Sequence, residues 1–277
     1  MYSTVHLVLI AMIESAIVAT ALSVPIFPAA VVVGLLTFAV YAGDRIADAD
    51  TDELTNPRQS AFIRRHETIL SVLTAGSYGL ALTISLTGGP LTFGLTLLPG
   101  AFWILYGSDW LPTLSSGLDR LKNVLLVNST LVAFGWAVTL TFLPLTFAEA
   151  AFSPTAAVVF VYFLVDRFIN TEIPNVADME GDDAIDVATL PTVVGVDRTR
   201  QLLYVLSLGL ATFLVLAFLF ELLSVTLTVA LLVGIGYSLC AIGCLGRIAD
   251  HRSLTVASNV KHLVVFAVFL GFLVTGM

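Results

Sequence analysis

Tyr41-Ala-Gly-Asp-Arg-Ile-Ala-Asp-Ala-Asp-Thr-Asp-Glu-Leu-Thr-Asn-Pro-Arg-Gln59 follows directly on the apolar run 27–40, and that change from hydrocarbon to acid decides how the chain is read. Asp44, Asp48 and Asp52 recur at every fourth position. A helix carried on from the apolar run would therefore set all three carboxylates on one face over two turns. Carboxylates crowded in this way repel unless a cation sits among them. The spacing returns as Asp178, Asp182 and Asp186 in Asn175-Val-Ala-Asp-Met-Glu-Gly-Asp-Asp-Ala-Ile-Asp-Val-Ala-Thr-Leu-Pro191, again at the polar end of a long apolar segment. Two matched triplets imply one shared cation site.

Of the 277 residues, 58% are hydrophobic and only 12% charged, and the mean hydropathy of +0.98 places the chain among membrane proteins. A spanning helix needs about 20 mostly apolar residues. The segments 3–24, 27–46, 68–87, 90–106, 122–143, 151–176, 202–221, 225–246 and 258–276 meet that need. The expected fold is thus all-α: a polytopic membrane protein, one domain over residues 1–277, with nine transmembrane helices. Four helices separate the second from the sixth, so the chain reads as two parallel four-helix halves plus one added helix. With no basic region before it and no small-residue cleavage pattern, segment 3–24 reads as a retained helix.

Arg45, Arg58, Arg64 and Arg65 follow the second segment, Arg120 and Lys122 precede the fifth, and Arg198 and Arg200 precede the seventh. Arg247, Arg252 and Lys261 are assigned to the connection before the ninth, and only Arg167 falls elsewhere. The alternate connections carry no Lys or Arg. The expectation is a multi-pass cell-membrane protein with its N-terminus and both triplets cytoplasmic and its C-terminus outside. A net charge of −8 argues against nucleic acid as a partner. Cys240 and Cys244, one turn apart with no third ligand nearby, read as small interior fillers.

Asp oxygens without His or Cys suit a hard cation, Mg²⁺ first, and Mg²⁺ keeps waters and phosphate oxygens in its shell in place of an all-protein cage. The Arg and Lys near the triplets supply what a polyanion still needs, so a diphosphate held between Mg²⁺ and basic side chains is the expected ligand. Within the sixth segment Asp166, Asn170, Pro174, Asp178, Asp182 and Asp186 lie on one fourfold ladder, and Pro174 is expected to bend it. Glu14 lies at bilayer depth and is either functional or a protonated interhelical bond. Arg167 would neutralise an acid such as Glu14 or snorkel outward. The last three segments carry little chemistry beyond Glu221.

These residues resemble the UbiA superfamily of intramembrane prenyltransferases. Its first aspartate-rich motif reads here Asp44-Arg-Ile-Ala-Asp48-Ala-Asp-Thr-Asp52, and its second reads Asp178-Met-Glu-Gly-Asp182-Asp-Ala-Ile-Asp186-Val-Ala-Thr189-Leu190-Pro191. Asp44 stands where the family has Asn, and Asp186 where it often has Gly. Tyr106 and Lys122 look like the family's diphosphate-contacting Tyr and Lys. The resemblance implies Mg²⁺-dependent transfer of a prenyl group from a polyprenyl diphosphate to a lipophilic or aromatic acceptor within membrane lipid. Asp48, Asp182 and Lys122 would be catalytic, and Asp44, Asp48, Asp52, Asp178, Asp182 and Asp186 would hold metal. Arg45, Arg58, Tyr106, Lys122 and Asn170 would bind the diphosphate. An allylic cation would be sheltered by the apolar interior and an aromatic face among Phe38, Tyr41, Phe102 and Phe168, with Asp166 or a water taking the final proton. The competing class is a transporter or ion relay that uses Glu14 and Asp166, although the acids concentrate at one rim and not at the midplane.

Overall fold

A computed structural model describes residues 2–49, 57–107, 127–184, 188–248 and 251–275, with side chains described over 4–49, 57–102, 129–179, 188–248 and 253–272. The expected positions Asp52, Lys122 and Asp186 lie outside the described residues. For Tyr106 and Asp182 only the backbone is described.

Every element among the described residues is helical: α1 Tyr2–Ala21, α2 Ala29–Ala47, α3 Pro57–Arg65, α4 Glu67–Ser85, α5 Gly89–Gly107, α6 Val127–Phe147, α7 Pro154–Ala184, α8 Leu190–Val194, α9 Val196–Leu219, α10 Val225–Cys244 and α11 His251–Thr275. A 3₁₀ turn, Leu86–Gly88, joins α4 to α5. By length and hydropathy seven runs among the described residues qualify as membrane-crossing, and one of them, Glu67–Phe102, holds both α4 and α5. The 31-residue α7 interrupts its apolar sequence with Asp166, Arg167 and Glu172 and is not among the seven. Nine separate spans remain the sequence expectation.

Sequential helices pack side by side, and α11 returns against α1 and α7, so the two ends of the chain close the bundle. The main core draws Ile17, Val33, Leu36, Leu140, Tyr162, Phe163, Leu214, Leu231 and Val265 from seven helices. Close approach depends on small residues: a Cβ at Gly34 would stand 2.8 Å from Met12 Cγ, so glycine lets α2 lie directly on α1. The ends of α1, α6 and α9 share one construction. Ser23, Glu149 and Glu221 take φ of 55°, 51° and 60°, and the following N–H returns to a carbonyl five residues earlier at 2.8–2.9 Å. This is the Schellman arrangement with a non-glycine residue in the left-handed position.

Three expectations are corrected. The helix that carries Asp44 stops at Ala47: Asp48 is its C-cap, with its N–H on Asp44 O at 2.9 Å. Acidic side chains are unfavourable at the negative end of a helix dipole, so further acidic turns gain nothing there. Lys261 is not in a loop; it lies within α11 and is fully buried. Cys240 is exposed on the bundle's outer surface and is not an interior filler.

Candidate functional site

Two sets of contacts tie the acidic ends of α2 and α7 to the same end of α6. Tyr41 of α2 stacks on Trp136 of α6, with centroids 6.1 Å apart and planes 11° from parallel. Asn175 of α7 donates to Ser129 Oγ of α6 at 3.4 Å. At ~1.5 Å rise per residue, Asp48 lies about 10 Å beyond Tyr41, and Ser129 lies about 10 Å beyond Trp136 in the opposite chain direction. Both acidic ends therefore sit level with the first turn of α6.

At this rim Asp44 and Asp48 are half-buried and Asp178 is exposed. Each has interacting partners of its own. Among the described residues no three His, Cys, Asp or Glu side chains come close enough together to hold a metal. The donor chemistry nonetheless fits Mg²⁺, since the acidic residues offer carboxylate oxygens, the hard donors this ion prefers. Arg45 donates to Gln59 Oε1 at 3.3 Å and so fastens the last turn of α2 to the first turn of α3. Arg58 is exposed on that same turn.

Below the rim lies an aromatic wall. Trp136 joins Tyr41, and a Cβ at Gly135 would meet the Phe102 ring at 3.1 Å, so Phe102 of α5 packs against the adjoining turn of α6. Phe38 lines a small cavity with Thr4, Arg45 and Phe62 on another side of α2, and Phe168 packs with the second core around Ile169 and Leu203. Of the four aromatics expected beside an allylic cation, Tyr41 and Phe102 thus flank one helix. Trp136 was not anticipated. Its signal was a Trp in the middle of an apolar segment, away from either interface.

Asn170 is not brought to the rim. It lies about 12 Å deeper than Asp178 along α7, inside a buried cluster drawn from four helices. Lys261 Nζ donates to Asp166 Oδ1 at 2.6 Å, Asn170 Oδ1 at 2.9 Å and Ser238 Oγ at 3.2 Å. Arg167 pairs with Glu14, and His262 Nε2 stands 2.9 Å from Glu14 Oε1 and 3.5 Å from Asp166 Oδ2. Of the two roles left open for Arg167, the pairing with Glu14 is the one found, whereas α10 and α11 carry more chemistry than expected. The missed signal was the spacing of Leu254, Ser258, Lys261, Val265 and Phe269, which puts Lys261 on the buried face of α11.

The model of the UbiA prenyltransferase family matches residues 5–263. No curated protein matches the chain by sequence. Among solved structures, an apo UbiA homologue from Aeropyrum pernix K1 superposes with a TM-score of 0.71 at 14% identity, covering 100% of this chain and 98% of its own. A UbiA homologue from Archaeoglobus fulgidus bound to GPP and Mg²⁺ gives 0.65 at 13% identity, covering 96% and 99%. A digeranylgeranylglyceryl phosphate synthase gives 0.62 at 14% identity, covering 99% and 97%. At these identities the structures establish a shared fold.

Proposed function

Because this chain belongs to the UbiA prenyltransferase family, we propose that it transfers a prenyl group from a polyprenyl diphosphate to a lipophilic or aromatic acceptor at the rim where α2 and α7 end. The observation that carries this reading is the level placement of both acidic ends against the first turn of α6. Solved relatives bound to DMAPP or GPP with Mg²⁺ support the same ligand class.

Asp44, Asp48, Asp52, Asp178, Asp182 and Asp186 would hold Mg²⁺, which when bound supplies positive charge to a departing diphosphate. Lys122, Arg45, Arg58 and Tyr106 add donors that stabilise the same charge and orient the leaving group. The prenyl chain would run into the apolar bundle, past Tyr41, Trp136 and Phe102, which exclude water and face the allylic carbon with π electrons. Asn170 belongs to the interior cluster and leaves the diphosphate to the rim residues. The proton released on acceptor attack would pass to water at the rim, since Asp166 is about 18 Å deeper than Asp178 and is already paired with Lys261. The rim, with Arg45, Arg58, Arg64 and Arg65 beside it, would face the cytoplasm.

A transporter reading would draw on Glu14, Asp166, Lys261 and His262. Each acid there is paired to a base within the cluster, which argues for a structural tie and against an ion relay. The deciding experiment incubates purified protein with Mg²⁺, labelled geranylgeranyl diphosphate and a lipid extract, and identifies the product by mass. A prenylated lipid with released pyrophosphate is expected. Intact diphosphate after prolonged incubation, with solute flux in vesicles, would favour the transporter.

A further inference from the structure

Glu172 is 1% exposed, and no step above employs it. Its carboxylate accepts from three elements: Asn175 Nδ2 at 3.2 Å, one turn further along α7; Ser129 Oγ in the first turn of α6; and the backbone N–H of Leu190 at the start of α8. Asn175 also reaches Ser129. The chain between Glu172 and Leu190 carries Asp178, Asp182 and Asp186. One buried carboxylate thus closes the ends of the segment that bears the second triplet and fastens it to the first turn of α6.

We propose that Glu172 is a positioning residue that sets the spacing of the second acidic motif for binding divalent cation and diphosphate. This rests on the reading of the triplets as a metal–diphosphate site. A neutral amide cannot replace the carboxylate, because its NH₂ would face donors where an acceptor is needed, and a buried donor left without a partner displaces the element that carries it. Partners that orient metal ligands without touching the metal typically change affinity by about 10- to 100-fold when replaced.

The test is Mn²⁺ binding to purified protein with inorganic pyrophosphate, read from the EPR signal of free Mn²⁺, beside the Mg²⁺ dependence of pyrophosphate release from labelled geranylgeranyl diphosphate. Glu172→Gln is expected to raise the Mn²⁺ dissociation constant and the Mg²⁺ half-saturation about 10- to 100-fold. Ser129→Ala, which removes one donor and little volume, should shift both in the same direction by a smaller factor. Leu214→Ala, in the fully buried core, should lower the melting temperature and leave both constants unchanged. Wild-type constants in Glu172→Gln and Ser129→Ala would overturn the proposal, and so would equal shifts in Leu214→Ala. If Glu172→Gln does not fold, Ser129→Ala against Leu214→Ala decides it. A wild-type protein that neither binds Mn²⁺ with pyrophosphate nor releases pyrophosphate would overturn the metal–diphosphate reading, and this proposal with it.

Discussion

Two kinds of acid are present, and they answer differently to substitution. Asp48 and Asp182 belong to the two acidic motifs, whose carboxylates hold metal in the proposed mechanism. Asp48→Asn or Asp182→Asn should therefore cut prenyl transfer at least 10²-fold, the usual scale for losing one preorganised charge partner, with the melting temperature nearly unchanged. Asp166 is a different case, since Lys261 Nζ lies 2.6 Å away in the interior. Removing one partner of a buried pair leaves an uncompensated charge at a cost of about 3–5 kcal/mol. Lys261→Met should thus lower thermal stability sharply in detergent. Lys261→Met combined with Asp166→Leu should recover much of the loss, and a double variant no better than the single one would show that the pair is not the cause.

At the level of elements, α6 is the part on which the proposed site is assembled. Its first turn meets α7 through Ser129, and two turns on Trp136 stacks on α2. Trp136→Leu keeps an apolar filler but removes the π face, so it should lower the rate about 2- to 30-fold, the equivalent of a cation–π contact, while leaving the Mg²⁺ half-saturation unchanged. An unaltered rate would remove the aromatic wall from the mechanism. Gly34→Leu would force α2 off α1 where Met12 leaves no space, at about 1–3 kcal/mol, visible as a lower melting temperature. The long helices were legible because each needs only a run of apolar residues, whereas the acidic motifs are read from a fourfold spacing that needs no tertiary information and remain a proposal as a site. The end of α2 at Ala47 was not legible, since it depends on capping and not on pattern. Lys261 was missed because a charged side chain was assumed to mark a loop, although its spacing on α11 marked the buried face. The contact of Glu172 and Asn175 with Ser129 was missed because it exists only when α6 and α7 are packed together.

For the whole molecule, alternation of the helices sends the ends of α1 and α9 and residue Phe269 of α11 to the end opposite the acidic rim, where with α7 and α10 they line an open cleft of about 470 Å³. The basic residues Arg45, Arg58, Arg64, Arg65, Arg198, Arg200 and Arg247 lie in or next to the elements that gather at the acidic end, which the orientation proposed from the positive-inside pattern turns to the cytoplasm. In a background lacking Cys240 and Cys244, Glu149→Cys should react with an impermeant thiol reagent from outside intact cells, and Arg247→Cys only after lysis. The reverse pattern would invert the orientation proposed here. The central claim, that both acidic motifs grip one ligand, is tested most directly by pyrophosphate-dependent Mn²⁺ binding to the wild type, Asp48→Asn, Asp182→Asn and the double variant. Either single change should remove most of the binding, and the second should add little to the loss; wild-type affinity in either single variant, or two losses that simply add, would mean that the motifs act apart.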